Sequence, residues 1–288
     1  MRARIVVGVV LIVACGCGKQ APTNQAPKDQ TAGEGARPSV SLSLTSTAAA
    51  AEDQAWGTVK GQIVFAADPP AAAKINVTKD QAHCLAKGAL LSEAWVINPK
   101  NKGVRWTVIW LAPEPDSKTP LPIHPKLKDV PAKAAEIDQP CCAFVPHVLG
   151  MREGQQLIVK NSAPVPHNIN VTGNPKKNAG FNYLMPAGGE IKAPALKADR
   201  YPLQMSCNIH PWMNGRIAVF DHPYFAITDE DGNFEIKDAP AGEYRLKVWH
   251  ESVGWRGGAA GNVGQKITIK PSGATELGKL ELKEKYDD

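Results

Sequence analysis

Cys207-Asn208-Ile209-His210-Pro211-Trp212-Met213 is the stretch on which the reading of this chain turns. A thiol, an imidazole and a thioether share one short loop. Upstream, Pro166-His167-Asn168 supplies a second imidazole. Taken singly, each residue has an ordinary explanation: a cysteine is commonly a small buried apolar group, a methionine fills a core, a histidine sits on a surface. Their order and spacing argue for a shared role. His167 lies far from the loop in sequence, so the donors meet only in a folded domain.

Soft sulfur favours a reduced metal ion, whereas imidazole serves both oxidation states. Two imidazoles, one thiolate and a weak axial thioether form the donor set of a mononuclear blue-copper centre. Zinc is the chemical rival, but a thioether is a poor zinc ligand and structural zinc sites take four Cys or His donors.

The flanking sequence supplies strands for this set. Phe144-Val145-Pro146-His147-Val148 leads into Met151-Arg152-Glu153-Gly154-Gln155-Gln156-Leu157-Ile158-Val159-Lys160-Asn161, a strand, a Gly turn and a second strand ending in Asn. Pro186-Ala187-Gly188-Gly189-Glu190 reads as a turn, Tyr201 to Ser206 as the strand before the cysteine, and Gly215 to Phe220 as a closing strand. Residues 134–221 thus resemble the short-loop, plastocyanin-like cupredoxins. Trp212 is bulkier than the usual aromatic of that loop, and Pro202 lies close to the strand carrying Cys207. The resemblance implies a Greek-key cupredoxin β-sandwich with copper held by His167, Cys207, His210 and Met213. It makes Asn168 the residue that ties the two ligand loops by hydrogen bonds. It also implies that the edge of His210 is the electron port, within an apolar docking patch formed by Pro211 and Trp212.

Outside this window the pattern is also β. Gly57-Thr58-Val59-Lys60-Gly61-Gln62-Ile63-Val64-Phe65 alternates, and Val104 to Leu111 is β-branched and aromatic. A short helix is expected over 79–90. After the window, Phe225 to Ile236 reads as two strands around an Asp-Gly turn, Glu243 to Trp249 alternates, and strands are expected at Gln265–Lys270 and Glu276–Leu282. Thr228-Asp229-Glu230-Asp231-Gly232-Asn233-Phe234, Pro240-Ala241-Gly242-Glu243-Tyr244-Arg245-Leu246 and the opening Gly-x-Val strand resemble the carboxypeptidase regulatory-like, prealbumin-like β-sandwich. The expected fold is all-β. Residues 56–112 and 222–283 build one discontinuous sandwich into which the window is nested; two domains in tandem is the alternative.

The N-terminus reads as an export signal over residues 1–14: Arg2 and Arg4 precede the short apolar run Ile5 to Val13. Ile12-Val13-Ala14-Cys15 resembles a bacterial lipobox, which makes Cys15 the lipidated residue; Cys17 is the alternative. Residues 15–55 lack hydrophobic periodicity and read as a disordered, lipid-anchored linker. The expected location is the bacterial cell envelope, on the periplasmic side or as an outer-membrane lipoprotein. Export permits disulfides. Of the six cysteines, Cys84 is expected to pair with Cys141 or Cys142, with Cys142 favoured because it stands nearer the strand at Phe144.

The 288 residues carry a formal charge of +5 with no dense basic patch, so nucleic acid is not an expected partner. No nucleophile elbow, His-Glu-x-x-His or phosphate loop is present, so no enzyme is expected. The acidic turn at Asp229 lacks the length of an EF-hand. His147, His222 and His250 have no assigned role. The leading expectation is one-electron transfer with redox partner proteins of the envelope. Copper storage or delivery, and carbohydrate or protein binding by an envelope lipoprotein, are the alternatives.

Overall fold

Val108-Ile109-Trp110-Leu111 is apolar at every position, the signature of a strand covered on both faces, and all four side chains are buried. The computed structural model describes residues 54–286. The expected signal peptide, Cys15, Cys17 and nearly all of the linker lie outside the described residues. The regular secondary structure of the described residues is almost wholly β. In chain order the strands are β1 (Trp56–Phe65), β2 (Val108–Ala112), β3 (Ala135–Ile137), β4 (Val148–Arg152), β5 (Leu157–Lys160) and β6 (His167–Thr172). They continue as β7 (Phe181–Met185), β8 (Glu190–Lys192), β9 (Leu203–Ser206), β10 (Asn214–Phe220) and β11 (Phe225–Ile227). The last are β12 (Asn233–Pro240), β13 (Gly242–His250), β14 (Gly254–Trp255), β15 (Gln265–Ile269) and β16 (Ala274–Leu282). A single helical turn, α1, spans Gln81–Cys84.

Four sheets are formed among the described residues. Strand order is β12-β1-β16 in the first and β11-β2-β13-β14 in the second, where β15 also pairs with β13. Strands from the two ends of the described chain therefore pair with each other. The third sheet, β4-β10-β9-β6-β7, and the fourth, β3-β5-β8, use only residues between Ala135 and Phe220.

Three cores alternate with these sheets. Val59, Ile63, Ile109, Leu111, Phe234, Ile236, Leu246 and Leu280 lie between the first and second. Ile137, Leu157, Val159, Ile169, Met205, Ile217 and Val219 lie between the third and fourth. A middle core of Val108, Trp110, Val148, Ala218, Phe220, Trp249 and Trp255 joins the second sheet to the third. The two-residue period of a strand makes this possible. In β2, Val108 and Trp110 face the middle core while Ile109 and Leu111 face the first. In β10, Ala218 and Phe220 face the middle core while Ile217 and Val219 face the core between the third and fourth sheets.

Three local expectations are corrected. The helix expected over 79–90 is one turn, ending before Gly88 with its φ of 108°. The strand expected from Val104 starts at Val108, because Trp106 takes a φ of 67° that no strand accommodates. The segments around Asp231-Gly232 do not form a hairpin: β11 pairs with β2 and β12 with β1, so the turn is a corner between sheets. That turn is closed by Asp229, whose Oδ1 accepts the N–H groups of Asp231 at 2.9 Å and Asn233 at 2.8 Å.

Candidate metal centre

The site is assembled at one end of the third sheet. Asn161 directly follows β5; it is buried and shapes the next loop. Its Nδ2 donates to the carbonyls of Val165 and Met185, each at 2.9 Å, and its Oδ1 lies 3.0 Å from His167 Nδ1. His167 opens β6. Strand β9 delivers Cys207, and the loop returns into β10 after Met213. The loop is closed by two backbone bonds, Cys207 N–H to Met213 O at 3.2 Å and Met213 N–H to His210 O at 2.9 Å.

His167, Cys207, His210 and Met213 are all buried, none more than 2 % exposed. The rings of His167 and His210 meet edge to face with centroids 4.7 Å apart. The backbone N–H groups of Asn168 and His210 both point at Cys207 Sγ from 3.4 Å, an arrangement suited to an electron-rich sulfur. Asn168 binds the two loops together. Its Oδ1 accepts from the N–H of Asn208 at 2.6 Å and of Ile209 at 3.3 Å, and its Nδ2 donates to Asn182.

Two polar atoms in this cluster are buried without a hydrogen-bond partner: Nε2 of His167 and Nδ1 of His210. Buried polar atoms are normally paired, so two orphaned imidazole nitrogens at one place call for a ligand. Burial pushes His167 down to about 4, with the charges of His210 and His83 acting in the same direction. The ring is neutral near pH 7 and its lone pair is available. Two imidazoles, a thiol and a thioether match a copper ion in donor type.

The surroundings of His210 differ from the expected electron port. The ring is fully buried, its Nε2 lies 2.8 Å from Asp80 Oδ2, and it is covered by the segment carrying α1. Trp212 is half-buried, its ring 5.1 Å from that of His210 and its Nε1 donating to Cys142 O at 3.2 Å; only Pro211 of the expected patch is exposed. Cys84 is joined to Cys142, and Cys141 is a half-buried free thiol. The donor atoms of Cys84, Cys142 and His210 lie within 4.8 Å of one another, which sets the disulfide beside the ring. No other trio of His, Cys, Asp or Glu donors of that tightness occurs among the described residues. The His167, Cys207 and His210 set is looser, and closing on an ion asks its side chains to draw together.

Of the other histidines, His83 and His250 each leave a buried Nε2 without a hydrogen-bond partner, but neither stands beside a buried cysteine and methionine as His167 and His210 do. His147 sits buried against Glu251, which also meets Arg216 at 3.4 Å. His250 stacks on Trp95 with centroids 4.4 Å apart, and its Nδ1 accepts from Ser252 N–H. Burial pushes His250 and His222 each down to about 4.

Sequence reasoning missed Asp80 and the covering of His210. No local signal marks them, since Asp80 reaches its partner across 130 positions.

Part of the chain is similar to cupredoxins of known structure. A purple cupredoxin from Nitrosopumilus maritimus shares 23% identity over 30% of this chain and 99% of its own, with a TM-score of 0.26. An amicyanin variant in its oxidized state shares 19% identity over 32% of this chain and 87% of its own, at 0.28. A copper-containing nitrite reductase from Thermus scotoductus SA-01 shares 19% over 35% of this chain and 27% of its own, at 0.29. No family model and no curated protein matches the chain.

Proposed function

We propose that His167, Cys207, His210 and Met213 hold one copper ion as a type 1 centre and that the protein is a one-electron carrier, not an enzyme. The observation that carries this reading is the pair of buried, unpartnered imidazole nitrogens beside a buried cysteine and a buried methionine. The copper supplies reversible one-electron chemistry; the chain supplies the sulfur and imidazole donors, exclusion of water and a fixed frame. Burial of all four donors favours electron exchange over copper delivery, which needs an open site. Trp110, Trp249 and Trp255 are used in the middle core, which removes them as a platform for sugar. With His210 covered, Trp212 and the exposed Pro211 form the route by which a redox partner couples to the centre.

The sheet order supports reading 56–112 with 222–283 as one carboxypeptidase regulatory-like sandwich and 134–221 as a cupredoxin nested within it. The proposal includes attachment to the envelope through Cys15. The test is addition of one equivalent of Cu(II) to the purified protein lacking residues 1–15, followed by visible absorption and EPR spectra. An intense thiolate-to-copper band with a narrow hyperfine splitting is the expected result, lost in Cys207→Ser. A Cys207→Ser protein that stays blue would refute the ligand assignment.

A further inference from the structure

Asp80 stands at the N-terminus of α1, where an aspartate ordinarily caps the helix, yet its side chain makes no cap bond. Its backbone is left-handed, at φ 49° and ψ 36°. That conformation is unfavourable for a non-glycine residue, and aspartate is among the few that visit it. What the conformation accompanies is a carboxylate turned into the metal centre, 2.8 Å from Nε2 of His210. The ring it meets is wholly buried, so this is not a solvated surface pair of little consequence.

The segment that carries Asp80 has few other attachments. Its base is closed by Ser92 N–H to Ala73 O at 2.8 Å and Ile75 N–H to Leu90 O at 2.9 Å. Val77 and Cys84 are its buried side chains in the core between the third and fourth sheets, Ile75 and Leu90 pack against that core from the segment's base, and Cys84 is bonded to Cys142. Most of its remaining residues are exposed. The disulfide is therefore the covalent clamp that keeps Asp80 over His210.

We propose that Asp80, clamped by the Cys84–Cys142 bond, is a positioning residue for His210 and tunes the metal that His210 binds. The inference rests on the copper reading above. With Nε2 held by the carboxylate, the ring is oriented to offer Nδ1 to the metal, and Nδ1 is the orphaned atom. A carboxylate on the far nitrogen also makes the imidazole a stronger donor, which favours Cu(II) over Cu(I).

The test uses the copper-loaded wild type and the variants Asp80→Asn and Asp80→Ala. Groups that support a metal ligand in this way typically change affinity by about 10–100-fold. Cu(II) retention against a chelator is expected to fall by that factor in Asp80→Ala and by less in Asp80→Asn. The reduction potential rises by about 59 mV for each factor of ten borne by Cu(II) alone. The double variant Cys84→Ser/Cys142→Ser, with the clamp gone, shifts both readouts in the same direction. A blue Asp80→Ala protein with unchanged potential and Cu(II) retention overturns the proposal and leaves the copper centre standing. A wild type that binds no copper overturns the copper reading. The tautomer is read separately, by nitrogen NMR of the His210 ring in copper-free protein at neutral pH. The Nε2–H form is expected in the wild type and a mixture in Asp80→Ala; identical spectra overturn the positioning role. Asp80→Asn, nearly the same shape, decides the matter where the alanine variant fails to fold.

Discussion

Removing the Cys84–Cys142 bond tests whether the segment over His210 depends on its clamp. The two cysteines are 58 positions apart, and both sulfurs are buried. A cross-link over a loop of that length lowers the entropy of the unfolded chain by an amount worth about 4 kcal/mol at 25 °C in the chain-entropy treatment. Replacing both residues by serine is therefore expected to destabilise the copper-free protein by about 4 kcal/mol. For a folded region of this size that corresponds to a fall in Tm of about 10 °C. The assay is urea unfolding of wild type and double variant without metal, so that ion binding adds nothing to either. Hydrogen exchange gives the local counterpart: amides of residues 75–92 lose protection before those of β6 or β10, because beyond the two backbone bonds at the segment's base its regular bonds are those of the single turn α1 and the turns that follow it. A midpoint equal to that of the wild type, with unchanged exchange in 75–92, would refute the reasoning.

Two other perturbations probe the middle core and the buried imidazoles. Phe220→Ala removes a ring stacked on Phe225 at 4.3 Å and tilted against Trp110 at 5.6 Å, so it should cost about 3–5 kcal/mol in thermal or urea unfolding. The copper spectrum should not change, since Phe220 faces away from the ligand side of β10; an altered spectrum would contradict the layered packing. His250 is held neutral in the fold at a pKa of about 4, below the value of about 6.5 it regains on unfolding. The unfolded state then binds the extra proton between those values, so stability is complete above pH 6.5 and is lost as pH falls toward 4. His250→Phe should reduce the slope of stability against pH in that window by up to about 1.4 kcal/mol per unit, and an unchanged slope would exclude His250 as a source.

How much of this could be read in advance follows from the range of each interaction. Strands such as Leu157–Lys160 and Asn214–Phe220 are written in the alternation of neighbouring residues, and the unbroken apolar run at Val108 to Leu111 marks a strand with two covered faces. The loop from Cys207 to Met213 is a local pattern too, because its donors are chain neighbours. The limits of elements were less legible. Val104 to Thr107 has the composition of a strand, but Trp106 sits in the left-handed region and Thr107 N–H donates to Thr228 Oγ1. The Asp-Gly turn at 231–232 is a real turn, yet which sheet each flank joins depends on partners far away in the chain.

The sequence by itself determined an all-β chain, the order of its strands and the chemical character of the donors near Cys207. All of these rest on periodicity and side-chain chemistry within a few residues. Only the tertiary structure decided that the second and third sheets share a core of Trp110, Phe220, Trp249 and Trp255, and that Cys142 reaches Cys84. It alone decided that Asp80, and not solvent, lies against His210. Those contacts join residues that are distant along the chain, and a contact of that kind leaves no periodic trace in either segment because each must satisfy its own local geometry first.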